Sequence, residues 1–473
     1  MITIQESNVY AYITCETTEE ELAVKKCLTF VKEVKKYSRR PFKMTTRFYR
    51  KQGKFLLIFK GIVSDLIAKL ALLDLAFACE KHTVQFPQPR KKNYEEAIVD
   101  LRPYQIDAFN AAVSSNGGIL WLATNAGKTE VAGAIIKAYP DRKFLYLVSR
   151  LELLTQTIER FRDKLGIDVG ELSTSEQNLK RHVTVAMTQT LYSRMEKLAP
   201  YLSTVECVIW DECQHAGGKT AEVILGKCTG AIFRLGLTGT VPPNEPDRLS
   251  IQQFFGPVSY RVPNEYLIDH EYSSGIQIYM VRGSWSDTGV GPEVQRLVML
   301  DNMGMRLNLW HEACMMGIVK NEARNAAIHK VLTSILRTGG SGVLIFVDYI
   351  EHGNILSELT GVPFVSSESQ DRNELFSQFK SGKIDCLITS PILDEGVDVS
   401  RIHHIIFSSG RKSKIKLLQR IGRGLRKEEG KTVMNLYDFY DDETPMFTRH
   451  TKKRLEIYES EGFPVEIKNI QEF

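Results

Sequence analysis

The sequence predicts an α/β protein: two parallel-sheet lobes preceded by a small basic α+β domain. Three observations carry this. The chain has 473 residues, too many for one hydrophobic core, which implies several domains. From about residue 98 onward, short and nearly continuous apolar runs alternate with helical stretches, the texture of strands buried on both faces. Charge is also uneven: residues 1–93 hold 18 Lys/Arg against 9 Asp/Glu, a net +9 in a chain whose total is +4.

In the first ninety residues the pattern reads βαββαβ. A strand is predicted over 9–14 and a helix over 19–34, begun by a capping box of Thr18 and Glu21. A hairpin over 45–50 and 55–59 turns at Gln52-Gly53, and a helix over 64–80 and a short strand over 83–86 follow. The polar, aperiodic segment 88–97 reads as a linker. Within 25–54, twelve basic residues stand against Glu33 alone, which suits a polyanion partner, since neutralised phosphates release counterions; a merely solvated basic face is the alternative.

Strands are predicted over 119–123, 144–148, 183–187, 207–210 and 235–238 in one block, and over 343–347, 364–365, 386–388, 404–407 and 433–436 in a second. The domain boundaries expected are 1–93, a first lobe at 98–245, a connecting segment at 246–319, a second lobe at 320–445 and a tail at 446–473. With 43% apolar and 25% charged residues the composition is that of a globular protein, and the longest apolar stretch, 66–79, is broken by Lys69 and Asp74. No membrane association is expected, and the eight scattered cysteines, without a CxxC pair, suit thiols in a reducing cytoplasm. Cys207, Cys213 and His215 straddle a motif with a better explanation than a metal.

Parallel strands present ligands at their carboxyl ends, so the polar clusters there are the candidate chemistry. In ILWLATNAGKTEVAGAII a strand, a tight loop and a helix follow one another, with Gly127-Lys128-Thr129 at the helix start. Backbone N–H groups of such a loop cradle phosphates, Lys128 reaches the β/γ oxygens and the Thr129 hydroxyl ligates Mg²⁺. Leu122 stands where the full P-loop pattern has its first glycine, so the motif alone is ambiguous. The strand over 205–210 then delivers Asp211-Glu212, one carboxylate to hold Mg²⁺ and one to orient or deprotonate the attacking water. Gln419-Arg420-Ile421-Gly422-Arg423-Gly424-Leu425-Arg426 brings arginines from the other lobe, the positive charge that phosphoryl transfer gains most from. An exposed basic helix is the plain alternative there.

Taken in order, these segments resemble the superfamily 2 helicases over residues 100–440. LRPYQ (101–105) is similar to the adenine-recognition motif, implying nucleotide contacts from Arg102 and base reading by Gln105. ATNAGKT is similar to motif I, implying ATP contacts from Thr124, Asn125, Ala126, Gly127, Lys128 and Thr129. LVSRLELLTQ resembles motif Ia, MTQTL motif Ib, DECQH a DExH motif II, GLTGT motif III, FVDY motif IV, ITSPILDEGVDV motif V and QRIGRGLR motif VI. The resemblance implies two RecA-like lobes, ATP and Mg²⁺ as cofactors, and Lys128, Asp211, Glu212, Arg423 and Arg426 as catalytic, with Gln419 at the nucleotide. Asp211 and Thr129 would serve the metal. Coupling would fall to Gln214, His215, Thr238, Thr240, Gly396 and Asp398, and strand phosphates to Arg150, Thr188, Gln189, Thr389 and Ser390. Asn125 in motif I and the TGT form of motif III depart from the usual pattern.

The segments LTGTVPPN and FFGPVSYRVPNEYLIDHEY resemble the duplex-DNA-directed branch, and the whole resembles phage UvsW-type branch-migration and fork-remodelling helicases. This implies forked or branched DNA as partner and a cytoplasmic setting, that of the host if phage-encoded; a monomer is compatible. Arg47, Arg50 and Lys51 on the predicted hairpin are the expected duplex contacts of the basic domain. An RNA helicase or restriction-type duplex translocase is the alternative within the class. A passive nucleic-acid binder with a degenerate ATP site is the alternative outside it.

Overall fold

The computed structural model describes every residue except 35–41, 83, 180–181, 284, 286–289, 303–308, 391–400 and 429. The chain forms two compact units, residues 1–33 with 43–262, and residues 263–473 with 34–42. Each contains a seven-stranded sheet, parallel throughout.

The N-terminal strands are β1 (Ile2–Glu6), β2 (Tyr10–Thr14), β3 (Thr29–Val34), β4 (Phe42–Arg47), β5 (Arg50–Gln52), β6 (Phe55–Phe59) and β7 (Phe77–Lys81). Five of them form a mixed sheet in the order β5-β6-β2-β1-β7, while β3 and β4 pair separately. This departs from the expected βαββαβ order in definite ways. The first helix covers only Thr18–Cys27 because the β-branched and aromatic run from Thr29 prefers a strand, and its capping box is Thr17 with Glu20, one residue earlier than expected. The second helix stops at Leu72; Asp74 turns the chain with φ 52°, and 77–81 joins β1 as a parallel strand. The hairpin does turn at Gln52-Gly53, but its first arm is β5. No strand forms over 84–86, and Thr83 lies outside the described residues; Phe86 instead buries its ring against Tyr139 and Phe233. Most of the expected linker is a helix, Lys91–Ile98, which Lys91–Glu95 and Lys92–Glu96 pairs one turn apart support.

The first large sheet contains β8 (Gly117–Leu122), β9 (Phe144–Val148), β10 (Gly170–Leu172), β11 (Val183–Met187), β12 (Cys207–Trp210), β13 (Phe233–Thr238) and β14 (Val258–Val262), ordered β10-β11-β9-β12-β13-β8-β14. Its central strands are wholly buried, as their continuous apolar sequences predict. The N-terminal sheet is packed into this lobe. Val9 and Phe59 belong to the lobe's core with Phe254 and Phe255, and Leu249 belongs to the N-terminal core with Ile4, Ile13 and Leu66. A Cβ on Gly61 would lie 2.1 Å from the Gln252 carbonyl oxygen, so the two backbones meet there.

The second unit contains β15 (Gly275–Arg282), β16 (Val343–Phe346), β17 (Phe364–Val365), β18 (Cys386–Thr389), β19 (His404–Phe407), β20 (Val433–Phe439) and β21 (Val465–Asn469), ordered β17-β18-β16-β19-β20-β15-β21. Two of these strands come from stretches expected to be connector and tail. β15 lies between β20 and β21, and β14, from the start of the expected connector, completes the first sheet. The sheet buries apolar residues on both faces, one around Ile278, Met280, Ile421 and Leu436, the other around Val281, Ile345, Ile388 and Phe439. β21 is an edge strand whose Glu466 and Lys468 blunt it against further pairing.

Candidate nucleotide and nucleic-acid site

The loop after β8 is held by hydrogen bonds rather than by a glycine-rich sequence. Asn125 and Gly127 take left-handed φ of 74° and 80°, and the Ala126 N–H donates to the Ala123 carbonyl at 3.0 Å, closing a turn before the helix Lys128–Ala138. Ala126, between the two left-handed residues, is buried. Asparagine tolerates the left-handed region better than most residues, which removes the objection to Asn125 in this motif. Below the loop, Gln105 is buried: its Nε2 donates to the Ala126 carbonyl at 2.9 Å and its Oε1 accepts from the Arg102 N–H at 2.9 Å. The Tyr104 hydroxyl donates to the same Ala126 carbonyl at 3.1 Å and accepts from the Arg102 guanidinium at 3.2 Å. Gln105, expected to read a base, has both polar atoms engaged by the protein here and ties Arg102 to the loop after β8.

At the end of β12, Asp211 is buried and Glu212 adopts φ 51°. The Lys128 ammonium stands 3.7 Å from a Glu212 oxygen, both side chains mostly shielded. Asp211 accepts from the Glu212 N–H at 3.0 Å. Burial and then the neighbouring Glu212 push the Asp211 carboxyl up, against the pull of Lys128. A buried carboxylate beside a second, mostly shielded one, with a single shielded lysine, is an environment that a divalent cation stabilises, so the donor set fits Mg²⁺. Thr129 is half-buried in the first turn of the adjoining helix.

A polar chain leaves this pair. Gln214 Nε2 donates to Glu212 Oε2 at 2.7 Å, and the Thr238 hydroxyl lies 2.5 Å from Gln214 Oε1 and 2.8 Å from the Thr240 carbonyl. Thr240 N–H donates back to the Thr238 hydroxyl at 3.0 Å, and the Trp121 indole donates to the Gly239 carbonyl at 3.2 Å. The acidic motif is thus joined to the TGT segment through Gln214, within one unit. His215 is exposed beside it. Tyr146, wholly buried in β9, interacts electrostatically with Asp211; nothing in its apolar strand sequence marks it as part of the site.

Of the expected strand contacts, Arg150 and Gln189 are exposed at the carboxyl ends of β9 and β11, and Gln189 donates to the Ser149 carbonyl at 2.7 Å. Thr188 is buried. Thr389 and Ser390 are also buried, and the Thr389 hydroxyl donates to the Ser390 carbonyl at 3.0 Å. Gly396 and Asp398 lie outside the described residues. On the hairpin, Arg50 pairs with Glu222 and Lys51 with Glu21 at 2.7 Å, whereas Arg47 is exposed on β4.

In the second unit the helix Lys414–Gly424 buries Leu417, Leu418 and Ile421 in the core. Arg423 is buried, and Gln419 and Arg426 are half-buried. Arg420, beside them, donates to Asp348 Oδ1 at 3.0 Å, and the other oxygen of Asp348 lies 3.2 Å from Arg411 Nε. The helix end is tied by buried Lys431, whose ammonium donates to the carbonyls of Gly424 and Arg426. Burial pulls the Lys431 ammonium down to about 8. Asp348, which falls within the FVDY segment but was given no role there, and Lys431, which no motif contains, both hold this helix in place.

Comparison with known proteins follows the same division. Residues 98–243 match the family model described as the res subunit of type III restriction enzymes, and 324–428 match the helicase conserved C-terminal domain. The chain is 26% identical over 361 residues to the DNA 3'-5' translocase XPB2 of Sulfurisphaera tokodaii, covering 71% of this chain and 81% of that protein. It is 24% identical over 361 residues to the ATP-dependent DNA helicase uvsW of Enterobacteria phage T4, covering 72% and 68%. A solved fragment of a putative HsdR subunit of a type I restriction enzyme from Vibrio vulnificus shares the fold, with a TM-score of 0.57 at 19% identity over 81% of this chain and 72% of that one. With both helicase domains in order on two parallel sheets, the chain belongs to the superfamily 2 helicases and is an ATP-dependent helicase.

Proposed function

We propose that this helicase acts on branched DNA, unwinding or remodelling forks and four-way junctions as it hydrolyses ATP. The observation that carries the ATP half is the chain Lys128, Glu212, Gln214, Thr238, in which the group suited to activate water is wired to the carboxyl end of β13. In this reading Lys128 and the backbone of 124–129 bind the triphosphate. Asp211 and Thr129 hold Mg²⁺, which supplies charge neutralisation at the phosphates. Glu212 takes the proton of the attacking water, while Arg423 and Arg426 offset the charge that develops on the phosphoryl group. Arg150 and Gln189 fit phosphate contacts that position a strand without reading bases.

The DNA half is supported by the names of the translocase and helicase relatives and by the basic first ninety residues. Arg47, Arg50 and Lys51 remain the proposed duplex contacts, the last two by exchanging Glu222 and Glu21 for phosphates. Because the N-terminal sheet shares its core with the first lobe, these contacts are tested by point substitution; deletion of 1–93 would strip the lobe of packing. A restriction-type duplex translocase is the second reading, favoured by the res-subunit match over 98–243.

The test is steady-state ATP hydrolysis alone and with single-stranded DNA, linear duplex, forked DNA, a four-way junction and RNA. Greatest stimulation by fork or junction is expected. Stimulation by linear duplex alone supports the translocase, and by RNA alone overturns the substrate. Lys128→Ala is expected to lower turnover by roughly 10² to 10³, the cost of losing one donor to the transition-state charge; unchanged turnover would remove the proposed ATP site.

A further inference from the structure

In the second unit, the loop after β19 and the helix Pro445–Ser460, which follows β20, line an open cleft of about 540 Å³. β19 and β20 are neighbours, so the cleft lies beyond the carboxyl ends of adjacent parallel strands, where open α/β sheets take ligands. Lys412, Thr448, Arg449 and Lys452 line it. Arg449 and Lys452 are three residues apart on one helical face, and Lys412 comes from the facing loop. All three cations are exposed, and among the described residues no carboxylate pairs with any of them. The acidic residue of the cleft, Glu456, is taken by Lys453 at 2.7 Å.

We propose that this cleft is a second track for the nucleic-acid backbone, outside the helicase motifs, in which Lys412, Arg449 and Lys452 neutralise successive phosphates. The inference rests on the reading of the chain as a DNA motor. The chemistry favours a phosphodiester chain over a nucleotide: among the described residues no aromatic ring lines the cleft to hold a base, while three uncompensated cations and the Thr448 hydroxyl suit phosphate oxygens. The positive charge of Lys412 and Arg449 is felt at buried His450, whose Nδ1 faces the Gly410 carbonyl at 3.3 Å. Burial first, then Lys412, pulls that imidazole down to about 4. Held neutral, His450 braces the loop against the helix while the cations stay in water.

The experiment is the salt dependence of binding to a fluorescent single-stranded oligonucleotide by the full chain and by the triple variant K412Q/R449Q/K452Q. Each phosphate that is no longer neutralised lowers the slope of log K against log salt by about 0.7, so the slope of the triple variant should be shallower by about 2. The single variant Arg449→Gln should show about a third of that change. K91Q/K92Q, which removes lysines paired with Glu95 and Glu96, is the control and should leave the slope unchanged. An unaltered slope in the triple variant, with binding by the native chain intact, overturns the cleft and leaves the motor reading standing. An equal change in the control variant also overturns the cleft. Absence of DNA binding by the native chain overturns both.

Discussion

Asp348 is expected to be the residue on which the arginine-bearing helix of the second unit depends. Its side chain is 5% exposed and that of its partner Arg420 is 4%, with Oδ1 3.0 Å from the guanidinium, which also stacks 5.0 Å from the Phe346 ring. Replacing Asp348 with Ala takes one counter-charge from Arg420 in a dry site, and breaking such a buried pair costs up to about 3–5 kcal/mol. Arg411, 47% exposed, can replace its Asp348 interaction with water and adds little. In a unit of this size the change should lower the melting temperature by about 6–20 °C. Arg420 lies three residues before Arg423, so ATP turnover should fall as well, even at saturating nucleotide. The decisive variant is the double substitution D348A/R420M, which removes both charges and keeps apolar volume; it should regain about half of the stability, since paired removal of buried ions is often nearly neutral. Destabilisations that simply add in the double variant would refute the argument, as would a single Asp348→Ala variant melting like the native protein.

Three further expectations follow from other parts of the molecule. Gln214→Ala severs the link between Glu212 and Thr238, so ATP turnover should fall about tenfold or more while the apparent affinity for ATP changes little; a change in affinity alone would contradict the wiring. Gly61→Val places a side chain against the Gln252 and Gln253 carbonyls, which no rotamer relieves. It should cost about 1–3 kcal/mol and expose the N-terminal sheet to limited proteolysis, and native resistance would mean that the interface yields. His352 and His450 are held neutral in the native second unit, at about 3 and about 4 against an ordinary 6.5, by burial first and then by Arg324 and Lys412 respectively. The unfolded chain binds protons below pH 6.5 and the native one does not, so the stability is whole above that pH and drains as pH falls from 6.5 towards 4. Between pH 6.5 and 5 each should cost at most about 2 kcal/mol, read from urea melts; double substitution by Gln should make that window shallower, with His404, which burial also pulls down to about 4, keeping its share, and an unchanged slope would disprove it.

Much of the architecture, and the charged groups of the candidate ATP site, were legible in the residues themselves. Strands such as Phe144–Val148, Val183–Met187 and Cys207–Trp210 declare themselves because burial on both faces demands unbroken apolar sequence. The Lys128 and Asp211-Glu212 segments do so because phosphate chemistry needs particular charged groups at strand ends. β15 and β21 hid because they lie at the flank of their sheet. Gln277, Tyr279, Glu466 and Lys468 interrupt the apolar pattern there, and only pairing with β20 makes a strand of 275–282. The helix and strand boundaries of the first ninety residues were likewise decided by partners: 77–81 is a strand because β1 offers an open edge. Local sequence determined which groups exist and which runs must be buried. The tertiary structure alone decided that Gln105 braces the loop after β8, that Gln214 joins Glu212 to Thr238, that Thr389 is buried, and that Lys412 shares one cleft with Arg449 and Lys452. Hydrogen-bond partners and burial are set by residues far apart in the chain, and no local pattern encodes them.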